Sequence, residues 1–273
     1  MQRNINSLKE SLVNATDGEI GRVKDVYFDD AAWAVRYLVV ETGNWLARRK
    51  VLISPYSLVV PIVDGRAIDV SLTRAQVKGS PTIDTHKPVS RQHERAHLSY
   101  YGHPEYWLGG NLWGDQACPA MSSVAPRLSE REELSDLLAN PDDSHLRSAA
   151  RVTGYHVQAT DGGIGHVDDF IVDDVSWAIR YLSVDTHSWW PGGKKVFLAT
   201  GWIGRIDWAT RKVHTMLARC AVKETGMASA AHGATDHEAA LDHALTETFP
   251  ASDPIACTPK SVTELKALGR RSK

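Results

Sequence analysis

The sequence predicts a mainly β protein built as two halves of like design, and three observations carry that expectation. A segment recurs: Ala15-Thr16-Asp17-Gly18-Glu19-Ile20-Gly21 and Trp33-Ala34-Val35-Arg36-Tyr37-Leu38 return as Ala159-Thr160-Asp161-Gly162-Gly163-Ile164-Gly165 and Trp177-Ala178-Ile179-Arg180-Tyr181-Leu182. Matched positions stand 144 residues apart, Asp17 with Asp161 and Trp33 with Trp177. Each copy consists of short β-prone runs broken by Asp-Gly or Asp-Asp turns. Finally, 273 residues with 42% hydrophobic and 23% charged side chains suffice to fill two modest cores. The expected architecture is two small antiparallel β-barrels related by internal duplication, because closure removes the exposed edges that so small a sheet otherwise carries.

In chain order, Leu12-Val13-Asn14-Ala15 reads as a brief strand, and Asp17-Gly18 as a hairpin turn in which glycine supplies a positive φ. Polar and apolar residues interleave from Ile20 to Phe28, with Gly21 a candidate for a bulge or a close backbone approach. Asp29-Asp30 makes the next reversal. Trp33 to Thr42 is the most β-prone stretch; with period two, Val35, Tyr37 and Val39 share one face, and Leu38 and Val40 share the other with Arg36. Lys50 to Ile53, Val59 to Val63 and Arg66 to Leu72 supply further strands, and Thr73-Arg74-Ala75-Gln76-Val77 a helical turn that closes the unit. The second copy follows the same plan from Val152 to about Lys223, its tryptophan-rich loop one residue longer. The expected domains are a first barrel at 1–81, a connector with a linker helix at 82–142, a second barrel at 143–226 and a low-complexity tail at 227–273. The linker helix starts at Ser129 with Glu132 as its capping-box partner, and the tail is partly helical or disordered.

The formal charge of −2 provides no global field toward nucleic acid or anionic lipid. No run approaches the apolar length of a membrane span, and the N-terminal residues lack an export signal, so a cytoplasmic location without membrane insertion is expected. Cys118, Cys220 and Cys257 form neither a disulfide framework nor a zinc-ribbon pattern.

The Asp17-Gly18 turn with Ile20-Gly21, the Arg36-Tyr37-Leu38-Val39-Val40 strand and the closing Leu72-Thr73-Arg74-Ala75-Gln76-Val77 resemble the PRC-barrel family, over Leu8 to Pro81 and again over Val152 to Lys223. The family includes the cytoplasmic domain of the reaction-centre H subunit and the C-terminal domain of the ribosome maturation factor. The tandem form is similar to soluble bacterial proteins. The resemblance implies a barrel that packs on protein partners and carries neither catalytic residues nor a cofactor.

The residues offer few alternatives. His93-Glu94-Arg95-Ala96-His97 fits the pattern of zinc hydrolases in which two histidines one helical turn apart bind the metal, and His103 falls where a third ligand stands in longer versions. The flanking Ser90-Arg91-Gln92 and Arg95 look solvated, so these histidines are expected to be a coincidence of composition. Asp29-Asp30 and Asp173-Asp174 are expected to cap turns, and Arg36 to pair with an acidic neighbour. Arg48-Arg49-Lys50 and Lys194-Lys195 lie beside Trp45 and Trp189-Trp190, a mix that suits single-stranded RNA. The connector's Tyr100, Tyr101, Tyr106, Trp107 and Trp113 are either a flap packed over both barrels or an exposed partner site. The packed flap is the expectation, since long loops are held down by their own side chains. The sequence thus anticipates a non-enzymatic interaction protein with a protein partner, with self-association, RNA or ribosome binding as the alternative and a zinc hydrolase behind it.

Overall fold

The computed structural model describes residues 2–59, 67–81, 89–119, 145–189 and 195–224. The expected linker helix, the tail and Trp190 lie outside the described residues. The chain is mainly β and forms two mixed sheets. In the first, β2 (Leu12–Ala15), β3 (Gly18–Asp29), β4 (Ala34–Thr42), β5 (Lys50–Ile53) and β6 (Ala67–Asp69) run in the order β5-β4-β3-β2-β6. In the second, β8 (His156–Ala159), β9 (Gly162–Asp173), β10 (Ile179–Asp185), β11 (Lys195–Ala199), β12 (Ile203–Asp207) and β13 (Lys212–Thr215) run β11-β10-β9-β8-β13-β12.

One expectation needs correction. The sheets are not purely antiparallel: β2 pairs with β6, and β8 with β13, in parallel. The long return from β5 to β6 lets the chain re-enter beside β2 in the same direction, which hairpins alone cannot do. Among the described residues the strand orders end at β5 and β6 in the first sheet and at β11 and β12 in the second.

Local chemistry explains the turns. Asp29 Oδ1 accepts the N–H groups of Ala31 and Ala32 at 2.9 and 3.1 Å, and Asp173 Oδ1 does the same for Val175 and Ser176. The helical turn that closes the first unit is the helix Arg74–Gly79, started by a Thr73/Gln76 capping box. The alternation in β4 departs from the simple period. A bulge at Arg36, where the register steps from Tyr27↔Tyr37 to Phe28↔Val35, turns Val35 onto the face of Leu38 and Val40. Tyr37 and Val39 form the other face with Tyr27, Leu52, Val89 and Leu146. Corresponding register shifts occur 144 residues on, at Arg180.

The two sheets hold each other through reciprocal contacts. The lead-in strand β1 (Gln2–Asn4) pairs with β9 of the second sheet, Gln2 opposite Asp173. The strand β7 (Leu146–Ser148), which leads into the second half, pairs with β3 of the first, Leu146 opposite Asp29. Arg3 meets Asp174 at 3.7 Å and Arg147 meets Asp30 at 2.8 Å. Asp169 Oδ1 accepts the Asn6 N–H while Asp25 Oδ1 accepts that of Ala150. Where β4 meets β10, Ala34 bridges Ala178, the Val35 N–H donates to the Trp177 carbonyl at 2.9 Å, and the Ile179 N–H donates to the Trp33 carbonyl at 2.7 Å. Trp33 and Trp177 both occupy the left-handed region, at φ 50° and 58°. For bulky residues that conformation is costly and survives because these paired hydrogen bonds fix it. One hydrophobic core joins both halves, with Phe28 against Phe170 at 5.3 Å between ring centroids.

Cys118 is a free, half-buried thiol. Among the described residues no helix is long and apolar enough to cross a membrane.

Candidate functional site

The chemistry of the chain concentrates in the connector. Its helix, Arg91–Tyr101, is capped by Ser90, whose hydroxyl accepts the His93 N–H, and it stops at Gly102 in the left-handed conformation. Glu94, His97, Leu98 and Tyr101 recur at helical spacing and turn one face inward onto the first sheet. Glu94 and His97 have no exposed surface; of the residues expected to be solvated, Gln92 is exposed and Ser90, Arg91 and Arg95 are half-buried. The missed signal was that helical stripe, because around Leu98 its members Glu94, His97 and Tyr101 carry polar groups.

Glu94 anchors a buried polar knot. The Tyr106 hydroxyl donates to its Oε2, His145 Nε2 lies 3.0 Å from Oε1, and the Arg91 guanidinium is 3.7 Å away. Burial, followed by the charge of Glu94, raises the hydroxyl pKa of Tyr37 and Tyr106 well above the ordinary tyrosine value, so both stay protonated. Beside them Arg36 (3% exposed) donates to the Leu112 carbonyl at 2.7 Å and pairs with Asp29 at 3.5 Å. It also lies over the Tyr106 and Trp113 rings at 3.8 and 4.8 Å. The Trp113 indole N–H donates to the Ser176 carbonyl at 2.7 Å, so the connector fastens both sheets. The packed flap is therefore the arrangement found for Tyr106 and Trp113, which are 3% and 2% exposed. Trp107 and Tyr101 are half-buried, and Tyr100, 44% exposed, donates to the Gln76 carbonyl.

Members of the zinc-like motif are engaged by this packing. His97 Nε2 lies 3.0 Å from the Leu52 carbonyl, so that nitrogen carries the proton and donates; its ring packs edge-on against Tyr37. His103 Nε2 lies 3.2 Å from the Ser57 hydroxyl, while Glu94 is engaged with Tyr106 and His145. Among the described residues no three His, Cys, Asp or Glu side chains are grouped to hold a metal ion.

Burial pushes the imidazole pKa of His97 down to about 3 and that of His103 to about 4. Unfolded histidines take up a proton near pH 6.5, so below that pH the unfolded chain binds more protons and the fold loses stability. Each ring is expected to contribute a slope of about 1.4 kcal/mol per pH unit between pH 6.5 and its folded value. The contribution is complete above pH 6.5. Urea unfolding across pH 7 to 4.5 measures it, and His97→Gln is expected to remove one ring's share of the slope.

The two loop tryptophans match as well. The Trp45 indole donates to the Ile20 carbonyl at 2.8 Å under the Arg74 guanidinium at 4.4 Å, and Trp189 carries Arg219 at 4.8 Å and Lys223 at 5.2 Å. Arg49 donates to the Lys78 and Ser80 carbonyls, while Arg48 and Lys50 are exposed.

Residues 5–72 match the family model described as PRC-barrel domain. No curated protein matches the chain.

Proposed function

We propose that the PRC-barrel domain at residues 5–72 is the first of two such units produced by duplication, and that the chain is a non-enzymatic adaptor holding them as an internal pseudo-dimer toward a protein partner. The reciprocal exchange of the lead-in strands carries this reading, because each pairing between the halves has its mate 144 residues away, as the subunits of a twofold dimer do. The connector supports it: its Glu94, His97, Tyr100, His103 and Tyr106 are held against the first unit or one another, and Trp113 reaches across to Ser176 of the second. Such a body offers rigid, preorganised surfaces, which lowers the ordering cost of association.

Affinity capture from a native lysate, comparing the full chain with one ending at Lys223, tests the proposal. A defined protein retained in stoichiometric amount is the expected result. Metal-dependent peptidase activity lost in Glu94→Gln would overturn it in favour of the hydrolase. Salt-sensitive RNA retention lost on neutralising Arg48 and Lys50 would replace the protein partner with RNA. A cytoplasmic location belongs to the same proposal.

A further inference from the structure

We infer that the second unit carries a binding site for a phosphate-bearing small molecule, in the groove beside Trp189. This groove, of about 500 Å³, is lined by His156, Gly163, Trp189, Lys212 and Arg219 among others. Its size is that of a small-molecule site. His156 and Lys212 are register partners in the parallel pair β8–β13, so their side chains leave the sheet on one face. Arg219 and Lys223 lie over the Trp189 ring, which holds two more cations at the groove's side. Carboxylates nearby are already engaged: Asp161 Oδ1 accepts the Arg219 N–H at 2.8 Å, and Asp185 Oδ1 lies 2.6 Å from His187 Nδ1.

The first unit provides an internal control. By register, Leu12, Glu19 and Ala67 stand where the second has His156, Gly163 and Lys212. The tryptophan and arginine platform is common to both, so it serves the fold. The differences all run one way, replacing two apolar side chains with an imidazole and an ammonium and removing a carboxylate. Packing does not require glycine at 163, since a Cβ there meets nothing within 4 Å. What its absence leaves is an open, positively charged floor. An imidazole, an ammonium and a guanidinium around one small volume suit a multiply charged oxyanion. The Trp189 face already carries the protein's own cations, which disfavours stacking of a nucleic-acid base.

Titration calorimetry of the full chain with inorganic pyrophosphate, at constant ionic strength, tests the site. One saturable site with Kd below about 1 mM is expected. Lys212→Ala is expected to weaken it roughly tenfold. Gly163→Glu, which installs the first unit's carboxylate, is expected to abolish saturation, while Gly163→Gln, equal in bulk and uncharged, retains it. Circular dichroism and thermal melts confirm that each variant is folded. The proposal is overturned if the parent chain shows no saturable binding, or if Lys212→Ala and Gly163→Glu bind as the parent does. Equal loss with Gly163→Gln, or a single-stranded oligonucleotide displacing pyrophosphate at far lower concentration, overturns it too.

Discussion

Arg36→Ala is expected to destabilise the fold by about 3–5 kcal/mol, whereas Arg180→Ala, at the matching position of the second unit, changes it by no more than about 0.5 kcal/mol. The two arginines sit at corresponding bulges, in β4 and β10, yet Arg36 is buried and Arg180 is exposed. Removing the Arg36 guanidinium strands the buried Asp29 carboxylate, takes the donor from the Leu112 carbonyl and empties the space between Tyr106 and Trp113. Breaking a buried pair from one side costs far more than the pair contributes as a whole, because the remaining charge stays desolvated. Urea unfolding of both variants at neutral pH measures the contrast. Equal losses at the two sites would mean that the connector does not clasp the first unit as the geometry has it.

Gly165→Ala is expected to cost about 3 kcal/mol or more, while Gly163→Ala, two residues away in the same strand, stays within about 0.5 kcal/mol. A Cβ on Gly165 falls 1.9 Å from the Asp185 carbonyl oxygen, a backbone atom that cannot swing aside, and its φ of 135° is one that side chains rarely adopt. Gly21 meets the Glu41 carbonyl oxygen at 2.0 Å in the same way, so Gly21→Ala is expected to injure the first unit comparably. Thermal melts of the three variants test the ordering. A Gly165→Ala chain that melts with the parent would show that β9 and β10 can separate, and that the close approach is not demanded by the pairing.

Much of this was legible in the residues. The glycine turn at Asp17-Gly18 and the Asp29 cap depend on chemistry within a few positions, and each stands where the sequence puts it. Gly21, read as a bulge or a close approach, is tightly packed against the neighbouring strand. The bulge at Arg36 was not legible, because nothing in Ala34-Val35-Arg36-Tyr37 marks which residue the partner strand will skip. The burial of Glu94 and His97 escaped for a related reason. A stripe of polar side chains looks solvated until Tyr37, Tyr106 and His145 arrive from elsewhere in the chain to satisfy it.

The sequence by itself determined the strands, the turns and the likeness of the two halves, since these follow from propensity, periodicity and turn chemistry acting over a few neighbouring residues. The tertiary structure alone decided which strands pair in parallel, that the lead-in strands cross to the opposite sheet, and that one arginine of a matched pair is entombed while its twin meets solvent. Those outcomes depend on partners more than 50 residues away, such as Leu112 for Arg36 at a separation of 76, and on how desolvation and pairing balance once the chain has closed.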